Sequence, residues 1–225
     1  MLVLGFPAGP LQANCYLLAT GERADCVIVD PGQEAAAALD EQIRENGLNP
    51  VAVLLTHGHF DHVYSAGEVC RAHDVPAWIH PADRYMLTDP AASLGPQGAE
   101  LFAALPPLTE PADVRDLADG EELELAGLRL SVTHSPGHTG GSVLFGVGTD
   151  EGGRLLLAGD TLFAGAIGRT DLPGGDHETM LHTLRTRVLP LEDDVVVLPG
   201  HGPTTTIGRE RAGNPFLQDL VPADR

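Results

Sequence analysis

The chain has 225 residues, 43% of them hydrophobic, and sets 13 basic residues against 32 acidic ones for a formal net charge of -19. That is material for one large domain spanning residues 1–225, since a chain of this size buries about 70% or more of its extended surface. The charge argues against a nucleic-acid partner and an anionic membrane, both of which draw affinity from Lys and Arg. All 13 basic residues are arginine, which leaves no lysine for a Schiff base, a phosphate loop or a general base.

In chain order, strand-like runs at Met1–Gly5, Cys15–Ala19 and Cys26–Val29 precede an alanine-rich helix over Glu34–Asn46, closed by Gly47. The apolar strand Val51–Leu55 follows, then a helix from about Tyr64 to His73 and a strand at Ala77–His80, an alternation that implies β-α-β packing. Pro90–Pro111, rich in proline and alanine, reads as a short helix flanked by loops near a site mouth. Glu122–Leu125 and Leu128–Thr133, joined by Ala126-Gly127, predict a hairpin. Ser142–Gly146 and runs ending at Ala158 and Leu198 predict further strands, with a helix over about His177–Val188 stopped by Pro190 and a C-terminal turn and short helix after Gly202. Two β-rich halves with flanking helices imply two sheets packed face to face.

Cys15, Cys26 and Cys70 are odd in number, widely spaced and set among apolar neighbours, so they read as core thiols of a reducing compartment. No basic residue precedes Arg23, and glycine and proline interrupt the apolar start, so no signal peptide or anchor is expected. No apolar stretch approaches the roughly 20 residues of a membrane helix, and the expected location is the cytoplasm.

The most informative stretch is Thr56-His57-Gly58-His59-Phe60-Asp61-His62, which delivers three imidazoles and a carboxylate at the end of a buried strand. Neutral imidazole is a favoured ligand of zinc and iron, and a strand end holds it rigidly. Three further strand-like runs end in glycine and then present one such group each: His138 in Ser135-Pro136-Gly137-His138, Asp160 in Gly159-Asp160-Thr161, and His201 in Pro199-Gly200-His201-Gly202.

With these motifs, with Asn14-Cys15-Tyr16-Leu17-Leu18 and Asp30-Pro31-Gly32, and with Gly168-Arg169-Thr170-Asp171 and Thr205-Thr206-Ile207-Gly208, the chain resembles the metallo-β-lactamase-fold superfamily, in its glyoxalase II-like (hydroxyacylglutathione hydrolase-like) and persulfide dioxygenase-like branch. The resemblance implies an αββα sandwich of two mixed sheets flanked by helices, of the α/β class. It implies two divalent metal ions, with zinc foremost and iron the alternative: one held by His57, His59 and His138, the other by Asp61, His62 and His201, with Asp160 bridging both.

Such a pair lowers the pKa of a shared water toward neutrality, so the implied chemistry is a metal-dependent hydrolase whose metal-bound hydroxide cleaves a thioester or a related activated acyl ester. Asp61 and Asp160 are then the catalytic carboxylates, and water and a small-molecule thioester or ester are the partners, with the oligomeric state open. The alternatives are an iron-dependent persulfide dioxygenase and a non-catalytic metal-binding scaffold.

Arg169 and Asp171 either frame the substrate or pair with each other. Asp30 either holds a ligand imidazole or forms an Asx turn before Pro31. His134 and His177 are candidates for the cleft, while His73, His80 and His182 read as surface or helix residues. Only 24 residues follow His201, none of them lysine, so a glutathione tail is expected to find few contacts.

Overall fold

The computed structural model describes residues 1–97, 108–149 and 152–220. Strand β2 (Ala13–Ala19) feeds two cores at once: Cys15, Leu17 and Ala19 are buried on one face, Tyr16 and Leu18 on the other. Because successive strand side chains point in opposite directions, a strand apolar on both faces belongs in the middle of a layered molecule. The split recurs in β3 (Asp25–Val29), with Cys26 and Ile28 opposite Val27 and Val29, and in β4 (Asn49–Leu54), with Val53 opposite Ala52 and Leu54.

These strands are the centre of a six-stranded sheet that begins with β1 (Leu2–Ala8) and continues through β2, β3 and β4 to β5 (Ala77–Ile79) and β6 (Val114–Asp116). The first two pairings are antiparallel and the last three parallel. Parallel neighbours need crossovers, supplied here by α1 (Ala35–Asn46) and by α2 (Phe60–Val63) with α3 (Ala66–His73). Ala35, Leu39, Val63, Ala66, Val69 and Cys70 of these helices close the outer core.

The second sheet contains β7 (Glu122–Leu125), β8 (Leu128–His134), β9 (Val143–Gly148), β10 (Arg154–Gly159), β13 (Val196–Pro199) and β14 (Thr205–Thr206), in the order β14-β13-β10-β9-β8-β7. Only β10 and β13 run parallel. A small hairpin of β11 (Leu162–Phe163) and β12 (Ala166–Ile167) follows β10. Leu130, Phe145 and Leu157 of this sheet meet Leu18, Val29 and Leu54 of the first. Its outer face is covered by α4 (His177–Thr183), α5 (Ile207–Gly213) and α6 (Pro215–Gln218), through Met180, Ile207 and Leu217. The layers are therefore helix, mixed sheet, mixed sheet, helix, the expected αββα sandwich.

Three elements differ in detail. The helix expected from about Tyr64 begins at Ala66 as α3 and is preceded by the separate short α2, because Ser65 N–H leaves the helical ladder to donate to Pro31 O at 3.0 Å. The helix expected over His177–Val188 ends in a π turn over Leu184–Val188, closed by Leu189 N–H donating to Leu184 O at 2.9 Å. In the proline-rich segment a 3₁₀ stretch runs over Pro90–Gln97 and kinks at Gly95; the rest of that expectation, residues 98–107, lies outside the described residues, as does the end of the chain from 221. Among the described residues no helix is long and apolar enough to cross a membrane, and Cys15, Cys26 and Cys70 are buried and free.

The parallel pairs β3–β4 and β10–β13 bring four carboxyl strand ends to one edge of the sandwich, where the sheets are tied together. Val143 N–H donates to Thr56 O at 2.8 Å, Asn14 N–H to Gly200 O at 2.7 Å, and the Tyr16 hydroxyl to Pro199 O at 2.8 Å.

Candidate metal centre

Each of those strand ends delivers chemistry. Asp30 follows β3; Thr56, His57 and His59 follow β4, and α2 carries Asp61 and His62; Asp160 follows β10 and His201 follows β13, while His138 lies in the loop between β8 and β9. The ligand atoms of His57, His59 and His138 lie within 4.8 Å of one another, and so do those of Asp61, His62 and His201. Asp160 stands between the two sets, with Oδ1 3.4 Å from His62 Nε2 and Oδ2 3.5 Å from His138 Nε2 and 3.6 Å from His201 Nε2. All seven residues singled out in the sequence therefore lie in one cluster, in which Asp30, His57 and His62 also come within 4.8 Å of one another.

Their orientation is held by a second set of contacts. A carboxylate only accepts, so the 3.0 Å contact between His62 Nδ1 and Asp30 Oδ2 places the proton on Nδ1. Thr56 Oγ1 spends its one hydrogen on Asp30 Oδ2 at 2.6 Å, so His57 Nδ1–H must donate to that hydroxyl at 3.1 Å. His138 Nδ1–H donates to Arg169 O at 2.7 Å. In all three rings Nε2 is left facing the cluster, the arrangement metal-bound imidazoles favour. Asp30 thus holds ligands, and its part is wider than a turn before Pro31.

The electrostatics divide the two sets. Burial, with repulsion from His62 and His138, holds the His57 imidazole well below its usual range, and burial with His138 takes His59 down to about 3. Burial alone would lower His62 as well, but Asp160, Asp61 and Asp30 outweigh it and push it up to about 10. His201 is raised too, burial being outweighed by Asp61 and Asp160. Asp61, although burial opposes it, is held well below the carboxylate range by His62 and His201 and stays ionised.

Two glycines allow the close approach. A Cβ on Gly200 would collide with Asp160 Oδ1 and come 2.8 Å from His62 Cε1; one on Gly168 would collide with Asp160 O and come 3.0 Å from His138 Nδ1.

Asp83 is the residue sequence reasoning missed. Wholly buried, it accepts from Gly58 N–H at 2.9 Å, Gly141 N–H at 2.7 Å and Thr139 Oγ1 at 2.6 Å, clamping the turn that bears His57 and His59 to the loop that bears His138. The available signal was an acid just past the carboxyl end of β5, a strand parallel to β4. Arg169 and Asp171 pair with each other through two bonds of 2.8 and 2.7 Å. His177 meets Thr170 at 3.4 Å and stands outside the ligand cluster. His134 Nε2–H supports the His138 loop by donating to Gly140 O at 2.9 Å, and His80 stacks on its ring at 4.2 Å.

The cluster fits metal ions. His57 Nε2, His59 Nε2, His138 Nε2 and Asp160 Oδ1 are buried with no hydrogen-bond partner, a costly state unless a cation takes their lone pairs. The His57, His59 and His62 rings are all buried, whereas the His201 side chain is 28% exposed, so the site opens over His201.

Comparison with known proteins agrees with this geometry. Residues 8–201 match the family model described as the metallo-beta-lactamase superfamily. An uncharacterised protein of Mycobacterium tuberculosis is 50% identical over 98% of this chain and 99% of its own length. The probable metallo-hydrolase YqgX of Bacillus subtilis is 40% identical and hydroxyacylglutathione hydrolase GloC of Haemophilus influenzae 38%, each over 94% of this chain and 95% of the relative. Among solved structures, the BLEG-1 B3 metallo-beta-lactamase has a TM-score of 0.84 at 38% identity, covering 96% of this chain and 99% of that one. TTHA1623, solved in a di-iron-bound form, has a TM-score of 0.78 at 37% identity, covering 95% and 100%.

Proposed function

The chain belongs to the metallo-beta-lactamase superfamily, and on that premise we propose that it is a metal-dependent hydrolase that cleaves a thioester or a related activated acyl ester. The observation that carries the reading is Asp160, whose two carboxylate oxygens reach, at 3.4 to 3.6 Å, imidazoles of both ligand sets. His57, His59 and His138 would hold one divalent ion and Asp61, His62 and His201 the other. When bound, such a pair supplies Lewis acidity toward an acyl oxygen and lowers the pKa of water toward neutrality.

The chain's own contribution is placement and charge. Asp30 and Thr56 fix the His62 and His57 rings, and the Arg169 carbonyl fixes His138. Asp61, ionised and 3.3 Å from His201 Nε2, keeps an acceptor at the open side, where it can orient a hydrogen of the attacking water. GloC, a hydroxyacylglutathione hydrolase, supports the thioester class. We take zinc as the metal, water and a small molecule as the substrates, and the cytoplasm as the location. The net charge of -19 supports an enzyme without nucleic-acid or membrane partners, and three buried free thiols suit a reducing compartment.

Iron is the rival metal because TTHA1623 was solved in a di-iron-bound form, and with iron the rival reaction is the persulfide oxidation that the sequence resemblance implies. A non-catalytic scaffold is disfavoured by the complete set of seven ligands. Protein purified without added metal, analysed for metals and assayed for thioester cleavage, persulfide-dependent oxygen uptake and β-lactam opening, tests the reading. Zinc with thioester cleavage is expected; iron with oxygen uptake, or β-lactam opening without thioesterase activity, would overturn it.

A further inference from the structure

Large apolar side chains are rarely left in water without use when they gather in one place. Among the described residues three are exposed: Leu11 at 51%, Tyr85 at 43% and Phe216 at 40%. Each is tied to an element of the metal edge. Leu11 is in the tight turn Gly9–Gln12, closed by Gln12 N–H donating to Gly9 O at 3.1 Å, and two residues later Ala13 pairs with His201. Phe216 lies on α6, whose first residue follows Asn214, and Asn214 Nδ2 donates to Ala166 O at 3.0 Å in the β11–β12 hairpin. That hairpin presents Phe163, whose ring stands edge-on to His201 with centroids 6.0 Å apart. A Cβ at Gly174 would lie 3.8 Å from the Tyr85 hydroxyl and 3.9 Å from Gly140 N, which places Tyr85 near the loop that carries His138.

At the open side of the site the Phe163 ring stands against half-buried His201, Leu11 lies in the turn that leads to Ala13, the pairing partner of His201, and Tyr85 lies near the loop of His138. The charge around the site is unsuited to an anionic tail. The Arg169 guanidinium has its charge paired with Asp171 through Nε and Nη2, the chain has no lysine, and the net charge is -19. Beyond the reach of the two metal positions, a substrate tail with several carboxylates or phosphates would meet repulsion with little to offset it.

We propose that Leu11, Phe163 and Tyr85 form a receiving surface for an apolar acyl group, so that the substrate class is a neutral thioester with an aliphatic or aromatic acyl chain. The proposal rests on the thioesterase reading. In the reaction, the oxygen of water bonds to the acyl carbon as the carbon–sulfur bond breaks. The thiol leaves with one proton of that water, and the acyl group leaves as a carboxylic acid.

The test uses thioesters of N-acetylcysteamine, a neutral carrier, with acetyl, butyryl, hexanoyl and octanoyl groups. KM is expected to fall about tenfold or more from acetyl to octanoyl, since each buried methylene strengthens binding by up to about fourfold. Leu11→Ser and Phe163→Ala should each flatten that dependence by at least threefold, whereas Arg154→Ala, at the far end of β10, should keep the wild-type profile. In parallel, calorimetry with the inert S-ethyl and S-octyl thioethers of the same carrier reads binding without turnover. If no thioester is cleaved, the hydrolase reading fails and the calorimetric preference for the octyl group alone decides the surface. Equal KM and equal affinity at all lengths would overturn the inference. So would a KM tenfold lower for S-lactoylglutathione than for the lactoyl thioester of the neutral carrier.

Discussion

Asp30 Oδ2 accepts from His62 Nδ1 at 3.0 Å and from Thr56 Oγ1 at 2.6 Å, so one carboxylate fixes a ligand of each metal position, His62 directly and His57 through Thr56. Removing partners of this kind costs about 10- to 100-fold in metal affinity. Asp30→Ala is expected to weaken both positions by about that factor in a chelator-competition titration, with Asp30→Asn closer to wild type. Unchanged affinity at both would show that the rings are held without it.

The two ligand sets predict different losses. Asp160→Ala should impair both positions, because its oxygens lie 3.4 Å from His62 and 3.5 Å from His138. His201→Ala, confined to the set with Asp61 and His62, should empty mainly that position. Metal analysis after dialysis decides: the same loss in the same proportion for both variants would contradict the bridging place of Asp160.

The charge states make metal uptake at one position sensitive to pH. His62, raised from 6.5 to about 10, carries a proton at neutral pH that an ion must displace, whereas His59, lowered to about 3, is already neutral. Affinity at the Asp61–His62–His201 set should therefore rise by up to about tenfold per pH unit between about 7 and 10. Over the same range the His57–His59–His138 set should change much less. For the metal-free protein the sign is opposite: the stability that protonated His62 contributes is fully present below about 6.5 and is lost as pH rises through about 10. A melting temperature that climbs from pH 7 to 10 without metal would contradict this assignment.

Asp83→Ala leaves the Gly58 and Gly141 N–H groups without their acceptor in a buried position, while the Thr139 hydroxyl can turn to Ser142 Oγ at 2.7 Å. Each unsatisfied group costs about 1–3 kcal/mol before relaxation. The expected loss is about 3 kcal/mol, or roughly 6–12 °C in melting temperature for a domain of this size. Asp83→Asn, which keeps one acceptor oxygen, should fall in between. A shift below about 2 °C for the alanine variant would show that water replaces the clamp.

What could be read in the chain beforehand follows contact range. His57, His59, Asp61 and His62 are adjacent in sequence, and His138, Asp160 and His201 follow glycine-ended strand runs, so local pattern alone revealed them. The continuous apolar run Val51–Leu55 likewise announced β4 as a buried strand. Asp83 gave no such signal, because its partners at Thr139 and Gly141 are 56 and 58 residues away and follow from parallel placement of β5 beside β4. The split between α2 and α3 was hidden for the same reason: it depends on Pro31, 34 residues before Ser65. Arg169 and Asp171 were recognised as a pair or a substrate frame, and their geometry shows the pairing.

Reconstitution of activity with counted metal tests the central claim most directly. Protein stripped by chelator and titrated with zinc should recover thioester cleavage in proportion to bound metal, reaching a plateau at two equivalents per chain. A plateau at one equivalent, or recovery only with ferrous iron and accompanied by persulfide-dependent oxygen uptake, would contradict a two-metal hydrolytic centre.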